Sequence, residues 1–322
     1  MGRKSKNDKR DLYDQHKTIM TYYRFKTFTT SYYFPNLNES QKYMYGLYSA
    51  YGGKLSKLYW NLFQRWRIVR VLTTVKEKNP GFPYQLIKEA DGTDCLMSFN
   101  MGSPGVEQKI SILGYDNQKQ SPFFAKFSQK PAAKELTKNE IDIYKALKDT
   151  QLTPQLLDCK VSEEYVYLKA EYIKGERPKS KKVTPEILRM CLELKNYHLT
   201  TERSDGNGLQ LALSHGDFCP WNVLMYENQM KLIDWELAKD RPLGFDLFTY
   251  ICQVSLLFKP EDELLQVIDK HNALIKKYFT ACGIKDYLPY LKSFATEKAS
   301  YEKNKSNDKG FEKYHQLEII LS

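Results

Sequence analysis

Three polar side chains at fixed spacing carry the clearest chemistry in this sequence. Asp217 and Asn222 stand five residues apart in Ser214-His215-Gly216-Asp217-Phe218-Cys219-Pro220-Trp221-Asn222-Val223-Leu224. Asp234 follows Asn222 by twelve residues, inside Lys231-Leu232-Ile233-Asp234-Trp235-Glu236. Phosphoryl transfer to a hydroxyl asks for such a set. The nucleophile must be oriented and must lose its proton, and a divalent ion must bridge the phosphate oxygens. Magnesium prefers hard oxygen ligands and keeps several waters, so one or two carboxylates and an amide oxygen suffice. Asp217 can orient the hydroxyl and take its proton. Asn222 and Asp234 can bind Mg2+.

These residues need a rigid support. Val223-Leu224-Met225-Tyr226 and the run Met230-Lys231-Leu232-Ile233 read as the two strands of a hairpin, with Glu227-Asn228-Gln229 as its turn. Such a hairpin would hold Asn222 close to Asp234.

The pattern HGDxxxxN followed by IDWE resembles the aminoglycoside phosphotransferase and choline kinase family, a branch of the protein-kinase-like superfamily. Gly216 stands where protein kinases carry the Arg of HRD, and Ile-Asp-Trp-Glu replaces DFG. Both departures favour a small-molecule or glycan kinase over a protein kinase. The resemblance covers residues 94–260. The tail, 260–322, matches only in its helical character.

The resemblance implies further parts. Lys126, in the apolar strand Phe123-Phe124-Ala125-Lys126-Phe127, would clamp phosphates, and a charge there needs a partner. Glu140 on the next helix is the expected partner, with Glu135 as its rival. Asn100-Met101-Gly102-Ser103-Pro104-Gly105-Val106 would cover the phosphates, with Gly102 and Gly105 permitting close backbone approach and Ser103 offering a hydroxyl and an N–H. Backbone groups near Glu171 and Ile173 would read the adenine edge. Asp246 would brace the loop at His215 or cap a helix. His215 would be a brace too. Glu236 would assist the metal or face solvent, and His198 would be a packed residue on a helix over 185–200. The implied cofactors are ATP and Mg2+.

The bulk of the sequence bounds this picture. The chain has 322 residues, 42% hydrophobic and 14% aromatic. That is enough to build a core and two lobes. None of the six cysteines forms a CxxC pair or a Cys/His zinc spacing, which suits a reduced intracellular protein. The opening MGRKSKNDKRDLYD has no apolar h-region, and Lys6 occupies the place where a myristoylation signal wants Ser or Thr. No apolar run approaches the length of a membrane span. The expected location is the cytoplasm, with a peripheral position at the inner membrane face.

The element pattern predicts an α+β, two-lobed kinase-like fold: a basic, largely helical extension over 1–80, a small β-rich lobe over 81–173 and a larger helical lobe over 174–322. Residues 1–10 form a charged tip. Residues 40–78 read as helical, with Leu55, Leu58, Tyr59, Leu62, Phe63 and Trp66 on one face and Lys54, Lys57, Arg65 and Arg67 on the other. Asn79-Pro80-Gly81-Phe82-Pro83 marks the boundary. Asp94–Asn100, Val106–Gly114 and Pro122–Ser128 read as strands, 131–149 as a helix and 152–173 as strands again. Helices dominate from 184, around a β-rich patch at 211–236.

The net charge of +10 sits in the extension, where 16 Lys and Arg face five acids. Its aromatic and basic residues suit an anionic membrane surface or a lipid-linked glycan acceptor. Equally, its apolar face could pack on the small lobe. No base-reading motif supports a nucleic-acid role. Three functions therefore compete: a small-molecule or glycan kinase, an atypical protein kinase, and a non-catalytic nucleotide- or membrane-binding pseudokinase.

Overall fold

Tyr32, Tyr33 and Phe34 are consecutive and all buried. Side chains on a strand alternate between faces, so such a run demands a sheet covered on both sides. The computed structural model shows this sheet. It describes residues 21–47, 54–78, 82–178, 180–227 and 229–322; the predicted tip 1–10 and Asn79-Pro80-Gly81 lie outside them.

Strands β1 (Thr21–Lys26) and β2 (Ser31–Phe34) lead to a 3-10 segment, Glu39–Leu47, then α1 (Lys54–Arg65), α2 (Arg67–Thr73), β3 (Val75–Lys78) and α3 (Tyr84–Asp91). They are followed by β4 (Cys95–Asn100), β5 (Ile110–Asp116), β6 (Ser121–Ser128), α4 (Pro131–Ala146), β7 (Leu156–Val161) and β8 (Val166–Glu171). The eight strands form one sheet in the order β3-β1-β2-β4-β5-β6-β8-β7. Tyr33, Ile112 and Phe123 face a core completed by Ile87 and Ala90 of α3. Phe34 and Leu113 face the opposite core, closed by Tyr45, Trp60 and Phe63.

The chain divides into two compact units. The first runs to Lys134 and includes Asp158–Tyr172; the second comprises Glu135–Leu157 and Ile173–Ser322. The first is β-rich and the second largely helical, an α+β arrangement as expected. Two expectations are corrected. Described residues 21–78 do not make a separate helical extension, because β1, β2 and β3 continue the sheet of β4–β8. Residues 135–157 group with the second unit. The face of α1 is corrected too: Trp60 and Phe63 are buried, whereas Leu55, Leu58, Leu62 and Trp66 are exposed.

One buried ion pair crosses the first unit. Lys169 Nζ lies 2.9 Å from Asp91 Oδ1 and sits 4.0 Å above the Phe123 ring. Tyr167 donates to the same carboxyl at 2.6 Å, and Thr93 and Cys95 donate to its other oxygen. Burial alone would raise the Asp91 pKa, but these hydrogen bonds outweigh it and hold the group at about 2. The unfolded chain then takes up this proton first on acidification. Asp91 therefore contributes about 2 kcal/mol that is present above the ordinary carboxylate range and lost as pH falls toward 2. Urea midpoints measured between pH 5 and pH 2 are expected to fall steeply for the wild type and less steeply for Asp91→Asn.

The second unit continues with α5 (Pro185–Leu194), β9 (Leu211–Ser214), β10 (Val223–Tyr226), β11 (Gln229–Leu232) and β12 (Lys239–Pro242). Helices α6 (Phe245–Phe258), α7 (Leu264–Lys270), α8 (Asn272–Ala281), α9 (Leu288–Asn304) and α10 (Asp308–Ile320) complete it. Helix α5 starts at a Thr184 cap with Pro185 at its first turn and stops at Leu194, so His198 lies beyond it. Strands β10 and β11 pair as a hairpin, and β9 and β12 as an antiparallel ladder.

Candidate active site

Strand pairing brings the key residues together. Strand β9 runs into the loop 215–222, which feeds β10; β11 runs into the segment 233–238, which feeds β12. Because β10 pairs with β11 and β9 with β12, the two connections must lie side by side. The Ile233 N–H donates to the Asn222 carbonyl at 3.0 Å, which joins the loop to the residue before Asp234.

The first loop is held from several sides. Asp246, in the first turn of α6, accepts from the Ser214 hydroxyl at 2.9 Å and from the His215 and Gly216 N–H groups at 2.8 and 3.1 Å. Here Asp246 braces the loop. His215 is fully buried, its Nε2 lies 3.0 Å from the Ile233 carbonyl, and its Nδ1 accepts from the Asp217 N–H at 3.3 Å. That leaves the imidazole in a bracing role.

Asp217 is half-buried and its two carboxylate oxygens accept from different donors. Asn222 Nδ2 donates to Oδ2 at 2.9 Å and to the Asp217 carbonyl at 2.9 Å. The Cys219 thiol donates to Oδ1 at 3.5 Å. Burial and the neighbouring Asp217 charge push that thiol far up, so it stays protonated and acts as a donor. Since Asn222 commits its NH2 group to Asp217, its amide oxygen is the end left to face a cation.

Gly216 explains why no larger residue stands before Asp217. Its φ is +83°, and a Cβ there would lie 2.4 Å from the Leu237 carbonyl oxygen and 2.9 Å from the Arg241 guanidinium. Gly216→Ala therefore combines left-handed strain with a backbone clash and is expected to destabilise the protein by about 3 kcal/mol. Gly206→Ala meets nothing within 4 Å and serves as the control. Urea denaturation of both variants checks this.

Asp234 adopts a left-handed conformation, φ +70°, at the start of the turn Trp235–Leu237. Trp235 is fully buried and its Nε1 donates to the Leu232 carbonyl at 2.8 Å, pinning the turn from below. Asn139 of α4 donates to the Glu236 and Ala238 carbonyls, each at 2.9 Å. One carboxylate oxygen from each of Asp234, Glu236 and Glu140 can lie within 4.8 Å of the others. Three carboxylates this close could hold a divalent cation through oxygen.

The remaining expected residues lie as follows. Lys126 is 4% exposed on β6, an interior strand, in register with Ser111 and Leu168; it is not an edge lysine facing solvent. Gly102 has φ +67°, and its Cβ would lie 2.4 Å from the Lys109 carbonyl oxygen. Gly105 offers its carbonyl to Lys130 Nζ at 2.7 Å, and Ser103 is exposed between the two glycines. Glu171 ends β8 in register with Phe123. Ile173 is buried at the start of the second unit, where Glu176 exchanges backbone hydrogen bonds with Met225 of β10 at 3.0 and 2.7 Å. Gly102, Ser103, Gly105, Lys126 and Glu171 belong to the first unit, whereas Glu140, Ile173, Asp217, Asn222 and Asp234 belong to the second.

Sequence reasoning missed two supports. Asn139 is one, although it neighbours the singled-out Glu140. The other is Lys298 of α9, 4% exposed, whose Nζ lies 3.4 Å from the Gly216 carbonyl. Burial lowers the Lys298 pKa, while the charge of Asp217 pulls it back up. A lysine on the helix 288–304 gives no signal of this in the sequence, since only the packing of α9 brings it to the loop.

Comparison with known proteins completes the description. Residues 192–273 match the family model of the phosphotransferase enzyme family. No curated protein matches the chain in sequence. Among solved structures, an amicoumacin kinase in complex with AMP-PNP, Ca2+ and Ami is similar with TM-score 0.47 and 11% identity, over 66% of this chain and 82% of its own. A protein described as a fructosamine-3-kinase, from Haemophilus somnus 129PT, is similar with TM-score 0.46 and 11% identity, over 74% of this chain and 94% of its own. The matched range 192–273 contains the loop of Asp217 and Asn222, the turn of Asp234 and the brace Asp246.

Proposed function

We propose that the chain moves the γ-phosphate of ATP, with Mg2+, to a hydroxyl on a small molecule or a glycan. The observation that supports this best is the fixing of Asp217 by Asn222 within a loop bonded to the residue before Asp234. Asp217 would orient the acceptor hydroxyl and receive its proton as the oxygen attacks the γ-phosphorus. Its two oxygens already accept from Asn222 and Cys219, so the carboxylate needs little reorganisation when the hydroxyl arrives. Asn222 and Asp234 would hold the metal, with Glu236 and Glu140 beside them; when bound, Mg2+ neutralises charge on the phosphates. In the same proposal Lys126 clamps phosphates, the Gly102–Gly105 loop covers them, and backbone groups near Glu171 and Ile173 meet the adenine.

For the acceptor, the proposal rests on charge. Glu261, Asp262 and Glu263 are clustered, but the neighbouring lysines dilute them, so a polycationic acceptor has no acidic trap. A sugar or lipid-linked glycan at the inner membrane face suits the chain better, reached through a peripheral contact of residues 1–80. The test is a screen of sugars, amino alcohols, glycolipids and peptides with γ-labelled ATP and Mg2+. Label in a sugar or glycolipid hydroxyl is expected. Label confined to peptides, or no turnover with any acceptor beside intact nucleotide binding, would replace this reading with a protein kinase or a pseudokinase.

A further inference from the structure

Helix α1 is apolar on two sides. Trp60 and Phe63 fill the core with Phe34 and Tyr45. At roughly 100° per residue, Leu58 and Leu62 stand roughly 160° to either side of Trp60, which points them away from that core. Both are exposed, and Leu55 beside them is 82% exposed. Helix α2 repeats the arrangement around Arg70. Arg70 is buried and its guanidinium donates to the Phe63 and Gln64 carbonyls at 2.9 and 3.0 Å, which ties α2 to the end of α1. By the same helical geometry, Ile68 and Leu72 stand roughly 160° to either side of Arg70. They are 63% and 77% exposed. Trp66, 58% exposed, joins the two stripes. A surface helix ordinarily turns charged or polar residues outward on the face opposite its core, so apolar residues there call for an occupant.

Charge identifies the occupant. Residues 54–78 hold seven Lys and Arg and one acid, Glu77, which is paired with Arg24 at 2.7 Å. Lys57, Arg65 and Arg67 are exposed around the apolar stripe. A second copy of the chain would bring like charges together. Residues 1–20, with six basic residues against three acids, offer this face no charge complement. An anionic bilayer surface takes both elements at once: leucines and tryptophan at the acyl boundary, cations at the phosphates.

We infer that the outward face of α1 and α2 docks on an anionic phospholipid surface. This deepens the reading of a lipid-linked acceptor but depends on no residue of the phosphotransfer site. Among the described residues no helix is long and apolar enough to cross a membrane, so the contact is interfacial. The test is co-sedimentation of the full chain, without nucleotide, with vesicles of phosphatidylcholine alone or with about 30% phosphatidylglycerol, at about 50 and about 500 mM NaCl. Binding to the anionic vesicles at low salt is expected, at least about 10-fold tighter than to neutral ones, weakened by salt and accompanied by a Trp66-dependent blue shift in fluorescence. Leu55→Glu with Leu58→Glu is expected to reduce that binding at least about 10-fold with circular dichroism and turnover unchanged, since these side chains are 82% and 56% exposed. Equal binding by wild type and variant, no preference for anionic vesicles, or a sedimenting dimer that the variant abolishes would overturn the inference. Because the vesicle assay contains no ATP, failure of phosphotransfer and failure of docking are read separately.

Discussion

Asp217→Asn leaves nucleotide binding largely intact and lowers turnover by about 10³-fold, the order that a positioned general base contributes. The amide is isosteric with the carboxylate but cannot take a proton. It also cannot satisfy both of the donors that Asp217 accepts. Asn222 Nδ2 at 2.9 Å and the Cys219 thiol at 3.5 Å each need an acceptor oxygen, and the amide has one. The oxygen should stay on the stronger Asn222 bond, turning the new NH2 group toward the Cys219 sulfur. The loop would then survive, because Asp246, His215 and Gly216 hold it independently. Single-turnover rates and nucleotide affinity, measured on the same preparation, check the split. A variant with full acceptor phosphorylation would remove Asp217 from its assigned role.

Asp234→Ala abolishes magnesium-dependent nucleotide binding, and Asp234→Asn shows that charge is the cause. Asp234 sits at φ +70°, in the left-handed region. Asn tolerates that region and Ala does not, so Ala adds a backbone cost of about 1 kcal/mol to the lost ligand. Asn keeps the backbone and the shape while removing one negative charge from the trio with Glu140 and Glu236. Metal affinity is expected to drop by about 10-fold or more in Asp234→Asn. The clean readout is thermal: Mg2+ with nucleotide raises the melting temperature of the wild type, less that of Asp234→Asn, and not that of Asp234→Ala. An undiminished metal-dependent shift in Asp234→Asn would move the cation away from this turn.

The two predictions concern residues that local sequence order places together. Asp217 and Asn222 lie five residues apart on one loop, and the hairpin of β10 and β11 needs only two neighbouring apolar runs and a short turn. Interactions of this range depend on nearby spacing and turn chemistry, so HGDxxxxN and IDWE were legible, as was the α+β alternation of elements. The hairpin was displaced by one residue only: β11 ends at Leu232, and Ile233 turns its N–H to Asn222.

Elsewhere the same local signals misled. In β1 and β2, Tyr22, Tyr23, Tyr32, Tyr33 and Phe34 are buried on both faces, and an unbroken apolar run carries no period to read. On α1, apolar residues occupy opposite sides, so spacing could identify a helix without telling which side met the core. The basic composition of residues 1–80 then suggested an appended arm, whereas three described strands from it complete the sheet.

By itself, the order of residues determined the loop of Asp217 and Asn222, the carboxylate after the hairpin and the class of chemistry they suit. Only the tertiary structure decided that Glu140 and Glu236 stand with Asp234, that Lys298 and Asn139 secure the two loops, and that Trp60 rather than Leu58 enters the core. The first group depends on covalent neighbours, whose separation the chain dictates. The second depends on which distant surfaces pack together, and many packings share the same local pattern.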